Sequence, residues 1–279
     1  MRLVRKFFHH LPVYLIVIVG AILTLTPFVW MLFSSFKNST EIYHYPPTLF
    51  PEVWRFDNYP RLFQDRPFGL WYRNSIVVGV IQTATVLFFS SLAGFGFAKY
   101  QFRGRSFMFA TLLGSTMIPF ALILIPLFIE ISRMHMTDSY AGLILPFMAP
   151  AFGIFVMKQF MESIPDELLD AARIDGSSEF GIYWHIVLPL VRPGLATLGL
   201  MTFLASWNNF QWPLVVLRSE KMLTLPVGLM ALTENVPGKS RDFGVIMAAA
   251  TLVAIPIILM FLAVQRQFVS GMLMGSIKE

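Results

Sequence analysis

Six apolar runs, each about twenty residues long and nearly free of charge, dominate this sequence. They extend from about Val13 to Phe33, Ser75 to Ala98, Phe107 to Ile129, Tyr140 to Phe160, Gly194 to Leu217 and Phe243 to Val264. A helix rises about 1.5 Å per residue, so a run of this length crosses the roughly 30 Å hydrocarbon core of a bilayer. Inside lipid every backbone N–H and C=O must find a partner within the protein, which leaves helices or closed barrels. Barrel strands are short and alternate between apolar and polar residues, and these runs do neither. The pattern therefore predicts an all-α polytopic membrane protein with six transmembrane helices.

Composition excludes the soluble alternative. Charged residues make up 13% of the chain and hydrophobic ones 56%, whereas a soluble domain carries about a quarter charged residues to build its polar shell. The net charge of +5 and the pI near 9.6 fit cations retained in cytoplasmic loops better than a nucleic-acid partner. Without cysteine, disulfides and thiolate chemistry are excluded. The first apolar run follows MRLVRKFFHH and exceeds the 7–15 residues, roughly, of a signal-peptide core. No A-x-A-like cleavage site follows it, so it reads as an uncleaved span.

An even number of spans puts both termini on one side. Arg2, Arg5 and Lys6 precede the first span, and Lys99, Arg103 and Arg105 fill the short second connection, all without acids. Cations in short loops mark the cytoplasmic side. The expectation is a prokaryotic inner (plasma) membrane protein with a cytoplasmic N-terminus over 1–12 and a cytoplasmic tail over 265–279. Connections 34–74, 130–139 and 218–242 then lie outside, the first (YPPTLFPEVWRFDNYP at its centre) as an ordered cap. Pro27, Pro119, Pro126, Pro146, Pro150, Pro213 and Pro256 fall within the spans. Each removes a backbone donor and is read as a packing kink, with a hinge as the alternative for one or two.

The connection over 162–192 is a charged stretch between two oily ones. Pro165 suits a first helical position, Asp166 and Glu167 complement the positive end of a helix dipole, and Ser163 is placed to cap. Gly176 stands where a left-handed residue ends a helix. These signals predict a helix from Pro165 to Asp175 with Leu168, Ala171, Ala172 and Asp175 on one narrow face. Ser177 or Ser178 would cap a second short helix through Val187, ended by Pro189 and Pro193. A helix–glycine–helix elbow at a membrane surface suits docking.

This elbow resembles the signature loop of ATP-binding-cassette importer permeases, E-A-A-x-x-x-G followed after nine residues by I-x-L-P. Here it reads Asp170-Ala171-Ala172, three residues to Gly176, nine to Ile186, then Leu188-Pro189. Asp170 departs from the family's glutamate and has a shorter reach. ARIDGSS, SWNNFQWPL and the carboxy-terminal QRQFVSGMLMGSIKE resemble the carbohydrate-uptake branch, in particular its MalG-like subunit. The resemblance covers essentially the whole chain. It implies a type I importer permease that pairs with a second, homologous permease subunit, docks on two nucleotide-binding ATPase subunits, and receives cargo from an extracytoplasmic solute-binding protein. It assigns ATPase coupling to Glu167, Leu168, Asp170, Ala171, Ala172, Asp175 and Gly176. ATP and Mg²⁺ would reside on the partner subunits. In agreement, the sequence has no G-x-x-x-x-G-K-[ST]: its one Gly-Lys pair, Gly238-Lys239, is followed by Ser240, but Thr233 stands where the motif's first glycine belongs.

Trp207, Asn208, Asn209 and Gln211 lie inside the fifth apolar run, with Trp212 beside them. Amides and aromatics there suit sugar hydroxyls and rings, with interhelical hydrogen bonding as the alternative. Gln82, Thr83, Thr85, Ser90 and Ser91 form a polar stripe on the second run, read mainly as packing. The five histidines form no i, i+4 pair, so no metal site is expected. An intramembrane enzyme would need paired carboxylates or an HExxH set at membrane depth, and none is present. A secondary transporter, the remaining alternative, would usually carry an ionisable residue mid-span.

Overall fold

The computed structural model describes residues 2–233 and 241–276. Gly238-Lys239 and the last three residues of the tail lie outside them. Among the described residues the regular structure is helical, as the apolar runs predict. Three helices are long and apolar enough to cross a membrane unbroken: Pro12–Ser34, Phe68–Lys99 and Phe243–Ala263. Three further candidate spans are pairs of helices bent at a short break. They are Arg105–Ser115 with Phe120–Arg133 at 98°, Tyr140–Phe147 with Ala151–Glu162 at 47°, and Glu179–Leu190 with Arg192–Trp207 at 78°.

Two of these breaks fall inside the runs over 107–129 and 140–160, at Pro119 and Pro150, where kinks were expected; the third, at Val191, precedes the run over 194–217. Pro119 and Pro150 occupy the N-cap positions of Phe120–Arg133 and Ala151–Glu162, and Pro193 is in the first turn of Arg192–Trp207. A proline lacks the N–H that a helix interior needs but is tolerated where a helix starts. The fifth run also stops at Trp207 and resumes as a separate helix, Gln211–Val216. At the two ends the helices run past the spans: the first helix begins at Arg2 and the last runs to Ser276, while the apolar stretches long enough to cross a membrane are Pro12–Ser34 and Phe243–Ala263. Pro12 lies at the first junction inside the unbroken helix, and Gln265–Ser270 contains no glycine or proline.

Contacts divide the chain into two units. One comprises Met1–Phe68 and Leu229–Pro256. Its first helix is exposed from Pro12 to Val29, but the connection after it is ordered, as expected of a cap. Lys37 is buried, with its ammonium on the Thr48 hydroxyl at 2.9 Å and its carboxylate partner Glu41 at 3.8 Å. Asn58 donates to the carbonyls of Ser35 (2.8 Å) and Lys37 (2.9 Å), which pairs two carbonyls of the turn leaving the first span. Phe33 packs edge-on to Phe50 at 4.8 Å, and Phe36 against Trp54 and Phe56.

The other unit comprises Gly69–Gly228 and Ile257–Glu279. Two apolar clusters hold it. One gathers Val86, Phe95, Met157, Met161, Ile164 and Val187 beneath the elbow. The second gathers Val78, Ile131, Leu143, Trp212 and Val216. The Phe68–Lys99 helix supplies residues to both. It lies close against Ala151–Glu162: a Cβ on Gly94 would come within 2.8 Å of Met157 Cβ and 2.9 Å of the Lys158 amide nitrogen. Small residues let two membrane helices approach to backbone contact.

Candidate functional site

The elbow helix forms over Asp166–Ile174, with Pro165 as N-cap and Asp175 as C-cap. Gly176 has a φ of +85°, the left-handed conformation that favours glycine and stops the helix. Its amide and that of Ser177 return to the carbonyls of Arg173 and Ala172. Ser163 is not the cap. It ends the preceding helix, and its hydroxyl donates to the Phe160 carbonyl at 2.7 Å. Ser178 does cap the next helix, accepting from the Gly181 amide at 3.1 Å. That helix passes Pro189 and reaches Leu190 through a π turn over Tyr183–Val187. In the π turn the Leu188 amide bonds to the carbonyl five residues back, a register shift typical of single-turn bulges.

The elbow helix is two-faced. Leu169 (1% exposed) and Ala172 (8%) turn into the cluster with Phe95, Met157, Met161 and Tyr183. Ala172 therefore leaves the face it was expected to share with Leu168, Ala171 and Asp175. Glu167, Leu168, Asp170, Ala171, Asp175 and Gly176 are all exposed. So is Ile174, at 86%, which the sequence reading passed over although it follows Leu168 and Ala171 at intervals of three. Phe180 and Trp184 extend the apolar surface, stacked at 6.2 Å.

Ionic contacts hold the elbow in place. Lys99, the last residue of Phe68–Lys99, is nearly buried; its ammonium donates to the Ile164 carbonyl (2.5 Å) and to Asp166 (2.7 Å). Arg173 spans the bend, bonding Asp170 at 2.7 Å and Glu179 at 2.8 Å. The Tyr100 hydroxyl donates to Glu179. Hydrogen bonding and charge from Lys99 hold Asp166 below its usual carboxylate range, and bonds from Arg173 and then Tyr100 do the same for Glu179. Burial, reinforced by Glu179, pushes the Tyr100 hydroxyl up to about 12. Asp170, in the signature position, is thus occupied within its own helix.

The candidate path residues lie at the interruption after Trp207. A cleft of about 340 Å³ is lined by Phe120, Phe147, Ala205, Asn208, Asn209, Phe210 and Gln211. Breaks in three elements meet there: Phe120 follows the break at 116–119, Phe147 precedes the one at 148–150, and Asn208–Phe210 is the third. Asn208 donates to the Leu204 carbonyl at 2.9 Å, and Asn209 accepts from the Trp212 amide at 3.4 Å. The two amides tie off the broken helix ends, and Gln211 is exposed at the rim. Trp207 is not part of the cleft. It is 1% exposed, stacked on Phe203 at 5.5 Å with Tyr72 edge-on, because a large indole at the end of the helix fills core space. No lining side chain is charged. The polar stripe on the second span is packing: Gln82 accepts from Ser206 at 2.9 Å, and Ser91 bonds Tyr183 at 2.7 Å. Among the described residues no three His, Asp or Glu side chains gather as a metal set.

Residues 67–273 match the model of the binding-protein-dependent transport system inner membrane component. The chain belongs to that family. As a family member it is an inner-membrane permease component of a binding-protein-dependent importer, not an enzyme. It is 38% identical to the arabinooligosaccharides transport system permease protein AraQ of Bacillus subtilis (strain 168), over 92% of each chain. It is 34% identical to the lactose transport system permease protein LacG of Rhizobium radiobacter, over 95% of each. Among solved structures it is similar to a chain of a bacterial ABC transporter involved in the import of the acidic polysaccharide alginate. There the TM-score is 0.83 at 26% identity, over 94% of this chain and 96% of that one. The importer-permease expectation is borne out.

Proposed function

We propose that this permease forms half of a translocation path for a sugar or sugar-like solute and takes its driving force from separate ATPase subunits through the Asp166–Ile174 helix. The observation that carries the reading is the two-sidedness of that helix. Leu169 and Ala172 fix it to the bundle while Leu168, Ala171 and Ile174 stand in the open, an arrangement that helix-in-groove docking uses. The elbow faces the cytoplasm in this reading, supported by the acid-free cations at Arg2, Arg5, Lys6, Lys99, Arg103 and Arg105. A second, homologous permease completes the path, two ATPase subunits hold ATP and Mg²⁺, and a solute-binding protein delivers cargo.

A polyhydroxylated cargo is supported by the uncharged cleft, where amides and aromatic rings offer hydrogen bonds and flat apolar contact. The names of the relatives point the same way. Gly176→Arg tests the coupling half of the reading. Nothing lies within 4 Å of a Cβ built there, so bulk is added outward, onto the docking face, though the positive φ carries some backbone strain. The variant is expected to insert at normal levels and lose ATP-dependent uptake. Uptake at the parent rate would contradict docking through the elbow.

A further inference from the structure

We propose that Lys99 and Tyr100 latch the elbow to the second span, so that Phe68–Lys99 acts as a rod carrying elbow movement to the cleft. The chain itself joins the elbow only to Ala151–Glu162 before it and Glu179–Leu190 after it. The second span ends 67 residues before Asp166, yet Lys99 and the Tyr100 that follows it grip both limbs. Lys99 holds the Ile164 carbonyl and Asp166 at the entrance. Tyr100 holds Glu179 beyond the glycine, and Glu179 is bridged to the elbow helix by Arg173. Packing around a lysine ammonium that is nearly shut off from solvent is a costly way to make a surface contact, since a buried charge must be fully paired.

The rod's other contact lies beside the cleft. From Lys99 back to Gln82 is about 26 Å of helix, and Gln82 there accepts from Ser206, two residues before the Asn208 break. Between the two ends Gly94 brings the second span against the backbone of Ala151–Glu162, and Gly153 leaves room for the Ser90 side chain, which stiffens it. One helix thus touches the docking element and the interrupted segment, the physical connection that energetic coupling between two sites requires. Lys99 and Tyr100 are positioning residues in this scheme, and it rests on the docking reading above.

The chain has no cysteine, so Phe147→Cys and Ala205→Cys can carry spin labels across the cleft of the assembled transporter. The readout is the fraction of molecules whose label separation changes on addition of ATP and vanadate, with co-purification of the ATPase subunits as the control. Lys99→Met is expected to retain the ATPase subunits but lower the responding fraction about tenfold, Lys99→Arg to restore most of it, and Tyr100→Phe to lower it about threefold. A full response in Lys99→Met overturns the latch while leaving docking intact. Should Lys99→Met fail to assemble, an undiminished response in both Tyr100→Phe and Asp166→Asn overturns it. Failure of the parent chain to retain ATPase subunits would instead remove the docking reading beneath it.

Discussion

The elbow and the cleft belong to the same compact unit and are built on opposite principles. Around the elbow, Lys99, Asp166, Asp170, Arg173 and Glu179 form a charged lattice that fixes the helix in one place and leaves one apolar face outward. At the cleft no side chain is charged, and three interrupted helices supply loose ends tied off by the Asn208 and Asn209 amides. On the proposed reading, charge is spent where force is transmitted without slippage and is absent where the solute passes without being trapped, since a site for conduction cannot bind too tightly.

The largest expected effects break this comparison outright. Gly176→Arg puts a cation on the transmission face, and uptake should fall at least ~30-fold, the cost of losing an interface anchor. Gln211→Lys puts a cation at the rim of the neutral cleft. Uptake should fall about tenfold with ATPase subunits still bound, because a charge held at membrane depth is costly and attracts the wrong solutes. Asn208→Leu should have a smaller effect, about threefold on uptake, from the lost hydrogen bond to the Leu204 carbonyl.

A titration sharpens the contrast with the smallest effect. The Asp166 and Glu179 pKa values are lowered in the folded chain, so their tethers are present above the ordinary carboxylate range, about 4, and are lost only as pH falls through the lowered values. Tyr100, raised to about 12, keeps its proton over the same interval. Uptake per ATP hydrolysed should therefore be flat from about pH 6 to 9. A step within that interval would mean that the lattice titrates and does not set the elbow's position.

The sequence carried the spans and the elbow because both rest on local signals. Apolar length specifies a membrane helix whatever its neighbours, and Pro165, Gly176 and Ser178 act through the backbone of adjacent residues. Features that depend on tertiary contact were not legible. The breaks at 116–119 and 148–150 arise where Pro119 and Pro150 start new helices, yet Pro126 and Pro256 look the same in sequence and lie within unbroken ones. Ala172 and Ala171 are chemically identical, and only the packed cluster decides which of them faces inward. Trp207 was placed on the path by its type, but its size and the stacking partner Phe203 put it in the core. Lys99 was counted as an orientation signal, and its grip on Ile164 and Asp166 becomes visible only when residues distant in sequence meet.

Contact between the elbow and an ATPase subunit is the claim on which the coupling account depends. Because the chain lacks cysteine, Ile174→Cys introduces a single thiol at its most exposed apolar position. In the assembled transporter, reacted with a short bifunctional thiol cross-linker against cysteines placed over the ATPase surface, the account predicts one permease–ATPase product whose yield changes with nucleotide. Labelling of that thiol from the extracytoplasmic side, or the absence of any ATPase product, would contradict it.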